Sequence, residues 1–112
     1  MQVGTPMKIW VIRVDDTRLI PLQVKSGEWD LKKIQEEVGG YIEQTIAKYK
    51  GQNHFIYVNE EGRLRNLKTN PLASQLCSKL IVGNAIMIEA GKNIDDLCGY
   101  QEDEEDELDE QL

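Results

Sequence analysis

The stretch from Asn59 to Leu80, NEEGRLRNLKTNPLASQLCSKL, constrains the fold of this chain most. Asn59-Glu60-Glu61-Gly62 ends an apolar run and reads as a tight turn, with Gly62 free to take positive φ. Arg63, Arg65 and Lys68 follow, interleaved with Asn66, Thr69 and Asn70. Asn70-Pro71 then opens a helix, Asn70 as N-cap and Pro71 at the first helical position. Leu72, Ala73, Leu76, Cys77 and Leu80 form the apolar stripe of that helix, which the pattern carries from Pro71 to about Leu80.

Upstream, residues 7–14 (MKIWVIRV) are apolar on both faces and read as an interior strand. Asp15-Asp16-Thr17 is a polar turn. Residues 18–25 return as a second strand, with Ile20, Leu22 and Val24 on one face; Pro21 lacks an amide donor and places it at a sheet edge. Asp30 is a good N-cap for a helix over Leu31–Val38, with Leu31, Ile34 and Val38 on one stripe. Gly39-Gly40 stops that helix. Tyr41–Ala47 reads as a third strand, Lys48–Gln52 as a polar connection, His54–Val58 as a fourth strand and Ala85–Ala90 as a last one. The order ββαβ(β)αβ has too few βαβ units for a doubly wound sheet. It predicts an α+β fold: a small, mainly antiparallel sheet with two helices on one face.

At 112 residues the chain supports one domain with a modest core. No apolar run approaches the roughly 18 residues of a membrane span, and the first residues lack a basic segment leading into an apolar one, so neither a signal peptide nor a membrane association is expected. The expected division is a loose leader (1–6), the domain (7–90), a connecting segment (91–101) and an acidic tail (102–112).

The net charge of −7 is unevenly placed. Of 20 acids, eight lie within residues 102–110, leaving 12 against 13 bases. The body is therefore near neutral, which argues against a dedicated binder of duplex DNA. The tail acids, Glu102, Asp103, Glu104, Glu105, Asp106, Glu107, Asp109 and Glu110, repel one another and are expected to stay disordered. The tail has three readings: a solubilising end, an interaction segment for a basic partner such as a nucleic-acid-handling protein, or a strand of charge docking on the chain's own basic loop. Cys77 and Cys98 lack the C-x-x-C spacing of a zinc or redox site, and a reduced, cytoplasmic protein fits best.

The series VGGYIE (Val38–Glu43), YVNEEGRLRNL (Tyr57–Leu67), NPLASQL (Asn70–Leu76) and IVGNAIMI (Ile81–Ile88) resembles a family of short domains of unknown function found in phages, large DNA viruses and bacteria. The resemblance spans roughly Met7–Ala90. It implies a shared α+β fold and a mobile-element or viral setting, with the host cytoplasm as the compartment. It brings no catalytic residues and no cofactor.

Catalysis needs a nucleophile, a base and charge stabilisation within mutual reach. His54 is the only histidine and opens a strand at the sheet rim. Asp15-Asp16 and Asp95-Asp96 read first as turn acids. No phosphate loop, dinucleotide fingerprint or EF-hand spacing is present. The candidate ligand surface is the basic loop. If Arg63 and Arg65 lie on an extended segment they share one face and offer two forks suited to phosphate or carboxylate. Lys68, Asn66 and Asn70 add polar contacts, and Tyr41 and Tyr57 offer flat surfaces for a base. The expected function is a small non-enzymatic binding module, a viral or phage accessory protein occupying a host protein or an anionic, nucleotide-like small molecule. The alternative is a regulator of a nucleic-acid-handling protein through the acidic tail, and the third an uncharacterised enzyme. Trp10 and Trp29 read as core or core-edge residues. Oligomeric state is not legible.

Overall fold

The computed structural model describes residues 6–99. Five strands, β1 (Pro6–Ile12), β2 (Ile20–Lys25), β3 (Ile42–Tyr49), β4 (Gln52–Asn59) and β5 (Ala85–Ile88), and three helices, α1 (Leu31–Val38), α2 (Pro71–Cys77) and α3 (Ile94–Cys98), follow in the order ββαββαβα. The strands form one sheet, β2-β1-β5-β4-β3, with every pairing antiparallel. The expected α+β class is thus the observed one, and β2, the strand with Pro21, lies at an edge.

Local chemistry explains most boundaries. The Asp30 side chain caps α1 by accepting from the Lys33 amide at 2.9 Å, and Gly39, at φ 89°, ends it in the left-handed conformation. The β3–β4 connection is two residues, not five. Lys50 and Gly51 both have positive φ (52° and 79°), the signature of a type I′ turn. Residues 48, 49 and 52 therefore join the ladder, whose register runs unbroken from Ile42↔Asn59 to Tyr49↔Gln52. Helix α2 stops three residues before Leu80 because Ser78 turns left-handed, at φ 56°. Leu80 leaves the expected stripe and is 51% exposed.

The two long helices do not share a face, contrary to the sequence expectation. Met7, Ile9 and Val11 of β1, Tyr57 of β4 and Ile86 and Ile88 of β5 meet Ile34 and Val38 of α1 and Leu97 of α3 in one core cluster. Ile12, Ile56, Val58, Ala85 and Met87 project from the alternate positions of the same strands. They meet Ala73 of α2, flanked by Leu72, Leu76 and Cys77, in a second cluster. Strand alternation puts these clusters on opposite sides of the sheet. The physical reason is the double-sided apolarity of β1 and β5: each face needs cover, and one layer of helices would leave the other face in water. Trp29 lies in the first cluster and Trp10 flanks the second.

Helix α3 was not expected. Asn93 accepts from the Asp95 and Asp96 amides, and the Asp96 carboxylate accepts from the Asn93 amide at 2.9 Å, a reciprocal capping box. Leu97 is fully buried, and Gly27 N–H donates to its carbonyl at 2.9 Å. The segment 91–101, read as a connector, thus belongs to the folded body through residue 99. The acidic tail lies outside the described residues. No helix among the described residues is long and apolar enough to cross a membrane.

Candidate functional site

The loop between β4 and α2 is a coil of turns rather than an extended segment. Gly62 carbonyl accepts from Leu67 N–H at 3.0 Å, Glu61 carbonyl from Arg65 N–H at 3.0 Å and Arg63 carbonyl from Asn66 N–H at 3.1 Å. Asn66 sits at φ 56°. Gly62 serves a role other than the expected positive φ: a Cβ built there would come within 2.5 Å of Val82 Cγ2, so only glycine lets the turn lie on the 81–83 segment. Asn59, not singled out by sequence reasoning, ties the base of the loop. Its Nδ2 donates to Val38 carbonyl at 3.1 Å and its Oδ1 accepts from Glu61 N–H at 2.7 Å.

This coiling separates the expected ligand residues. Arg65 turns back, its Nη1 donating to Gly39 carbonyl at 2.9 Å. Arg63 lines a cleft of about 460 Å³ between the turn and the 79–82 segment, while Arg65, Asn66 and Lys68 do not line it. Asn70 is fully buried: Oδ1 caps α2 through Ala73 N–H at 3.0 Å, and Nδ2 donates to the carbonyls of Ile12 (3.0 Å) and Gly83 (2.9 Å). Every polar atom of its side chain is engaged, so Asn70 has nothing left for a ligand. Tyr57 is 1% exposed and cannot stack a base. Its hydroxyl donates to Gln44 Oε1 at 2.7 Å and accepts from Ile94 N–H at 2.9 Å. Burial pushes this phenol up to about 12. Tyr41 stands exposed at the entry to β3.

Other residues complete the cleft. Lys79 lies on its wall beside Leu80, and Glu43, Glu60 and Glu61 add negative charge. Leu64 on the rim is 87% exposed. An apolar residue between Arg63 and Arg65 was the available signal for Leu64; Lys79 and Leu80 became visible only once Ser78 ended the helix. Neither Arg63 nor Lys79 has an ion-pair partner among the described residues. A second groove, about 520 Å³, lies between β1–β2 and α1. Three of its four charges are engaged internally: Arg13 Nε bonds Glu37 at 3.0 Å, and Lys33 Nζ lies 4.9 Å from the centroid of Trp29.

His54 is buried in the sheet. Nδ1 donates to Ile88 carbonyl at 2.8 Å, while Nε2 is enclosed with no partner. Trp10 and Tyr49 stand edge-on to its ring at 5.4 and 5.9 Å. Asp95 and Asp96 open α3. The Cys98 thiol, buried against the core, is pushed up to about 11 and is a poor nucleophile. Among the described residues, no three His, Cys, Asp or Glu side chains gather as metal ligands.

The fold and cleft define a small α+β domain, one antiparallel sheet covered by helices on both faces, with a mixed-charge cleft at one end. The chain belongs to the family described as Domain of unknown function (DUF3846), which matches residues 7–112. No curated protein and no solved structure matches the chain.

Proposed function

We propose that this domain is a non-enzymatic binding module that acts by occupying a partner protein, and that the partner enters the cleft between the Gly62 turn and the 79–82 segment. The observation that carries this reading is the pair of exposed leucines framing that cleft, Leu64 (87%) and Leu80 (51%), above walls bearing both signs of charge. Exposed apolar side chains ringed by polar groups favour a polypeptide surface. A small anion would instead need converging cations, and only Arg63 and Lys79 line the cleft, against Glu43, Glu60 and Glu61. In the viral or phage setting implied by the motif resemblance, a host protein is the natural partner.

The test is affinity capture with wild type and with Leu64→Asp/Leu80→Asp, followed by titration of the purified captured protein. Loss of binding by a folded double variant supports the reading; unchanged affinity refutes it. A nucleotide panel read by thermal shift covers the small-ligand alternative. A ligand at 100 times its dissociation constant adds about 2.7 kcal/mol to stability. A stabilising nucleotide whose effect disappears in Arg63→Ala would transfer the assignment to anion binding. The acidic run 102–110 supports the second reading, regulation of a nucleic-acid-handling protein. Capture that is lost on deleting residues 101–112 and weakened by salt would select it.

A further inference from the structure

We propose that β3 is a pairing edge through which two copies of this chain join their sheets into one, antiparallel and centred on Ile46. This goes beyond the cleft reading and uses the β3 edge, which meets the cleft lining at Glu43.

The sheet has two edges of unlike character. On β2, six residues long, Pro21 interrupts the row of donors, a common protection against edge pairing. On β3, eight residues pair with β4 without a bulge or a proline. The type I′ turn makes Tyr49↔Gln52 the first hydrogen-bonded pair, so alternation turns the amides and carbonyls of Ile42, Gln44, Ile46 and Lys48 outward. No backbone hydrogen bond from another segment reaches these residues among those described. Ile46, in the middle of this row, is 45% exposed.

A strand needs a partner of matching length and compatible charge, and β3 itself meets both demands. With the two-fold axis at Ile46, three of the four outward residues find a counterpart on the strand: Ile46 opposite Ile46 of the second copy, Gln44 opposite Lys48 and Lys48 opposite Gln44, while Ile42 falls opposite the turn residue Lys50. On the other face Thr45 meets Ala47 and Glu43 meets Tyr49. No like charges face each other, and the exposed isoleucine is covered by its equivalent. The arrangement is isologous and closes after two copies. A single strand pair buries less than the roughly 1,200 Å² of a standard interface, so the dimer belongs with the weak, concentration-dependent ones.

Sedimentation equilibrium of the full chain over a concentration series tests this. The expected mass rises from 12.8 kDa toward twice that value. Ile46→Pro removes one outward donor and no bond to β4, and is expected to stay at monomer mass at every concentration. Ile46→Lys keeps the donor but sets two ammonium groups at the axis, and is expected to do the same if the proline variant misfolds. Gln23→Pro, on the β2 edge, is expected to dimerise like wild type. A wild type that remains at monomer mass at millimolar concentration overturns the proposal. So does a folded Ile46→Lys protein that dimerises as strongly as wild type. Loss of dimer in Ile46→Lys with cleft binding intact separates this edge from the cleft.

Discussion

Replacing Asn70 by alanine is expected to be among the costliest single changes in the chain, although the residue is polar and sits beside an exposed loop. Its buried carboxamide caps α2 and holds the ends of two strand connections through Ile12 and Gly83. Loss of the cap costs about 0.5–2 kcal/mol. Stranding each buried carbonyl costs about 1–3 kcal/mol, at the lower end here because a carbonyl has a second lone pair. The sum is about 3–5 kcal/mol, a large share of the roughly 5–15 kcal/mol that holds a domain together. Urea unfolding followed by circular dichroism measures it, and the melting temperature should drop by more than about 12 °C. Asn70→Asp sharpens the reasoning. It keeps the cap acceptor but aims a carboxylate at two carbonyl oxygens, so its folded pKa rises above the unfolded value of roughly 3.9. Stability gained below that value is lost as pH rises through the folded pKa, so the variant should be relatively more stable in acid. If Asn70→Ala costs under about 1 kcal/mol, the three bonds are not what joins α2 to the sheet.

Further expectations follow from other parts of the fold. Leu97→Ala should cost about 2–5 kcal/mol, measured by urea unfolding, because α3 fills the first core cluster; a neutral result would return residues 94–98 to a connector. Gly62→Ala should destabilise and Gly62→Ala/Val82→Ala should recover part of the loss, since the clash is with Val82 Cγ2; melting curves of both variants show whether it does. In alkali, Cys98 (about 11) and Tyr57 (about 12) hold their protons longer folded than unfolded. Stability is therefore complete below pH 9 and falls as pH rises toward 12, and urea midpoints for Cys98→Ala should show a shallower fall.

How far the sequence carried these conclusions differs between elements. Strand β1, the Asp30 and Asn70 caps, the Gly39 stop and the edge position of β2 all rest on local chemistry, and local chemistry is written in neighbouring residues. The face on which a helix lands is not local. The 3.6-residue stripe of α2 names the residues that are buried but not the side of the sheet that receives them. The hint lay in β1, apolar on both faces, which demands two layers of cover. Helix α3 is five residues long, too short for periodicity to reveal, and only the Asn93/Asp96 spacing with Gly99 marks it. The loop misled for another reason. Arg63 and Arg65 would share a face on a strand, but Asn66 in the left-handed region coils the segment and sends Arg65 back to Gly39. Tyr57 and Asn70 had the chemistry of ligand residues, and both are engaged inside the fold, Tyr57 by Gln44 and Ile94 and Asn70 by backbone alone.

The proposed partner protein docks where Leu64 and Leu80 frame the cleft. Titrating the isotope-labelled domain with its captured partner, followed by amide chemical shifts, tests it most directly. The perturbed amides are expected to cluster at residues 59–64 and 79–82, with the groove between β1–β2 and α1 undisturbed. Perturbations confined to that groove, or to residues 100–112, with the 59–64 turn unchanged would contradict it.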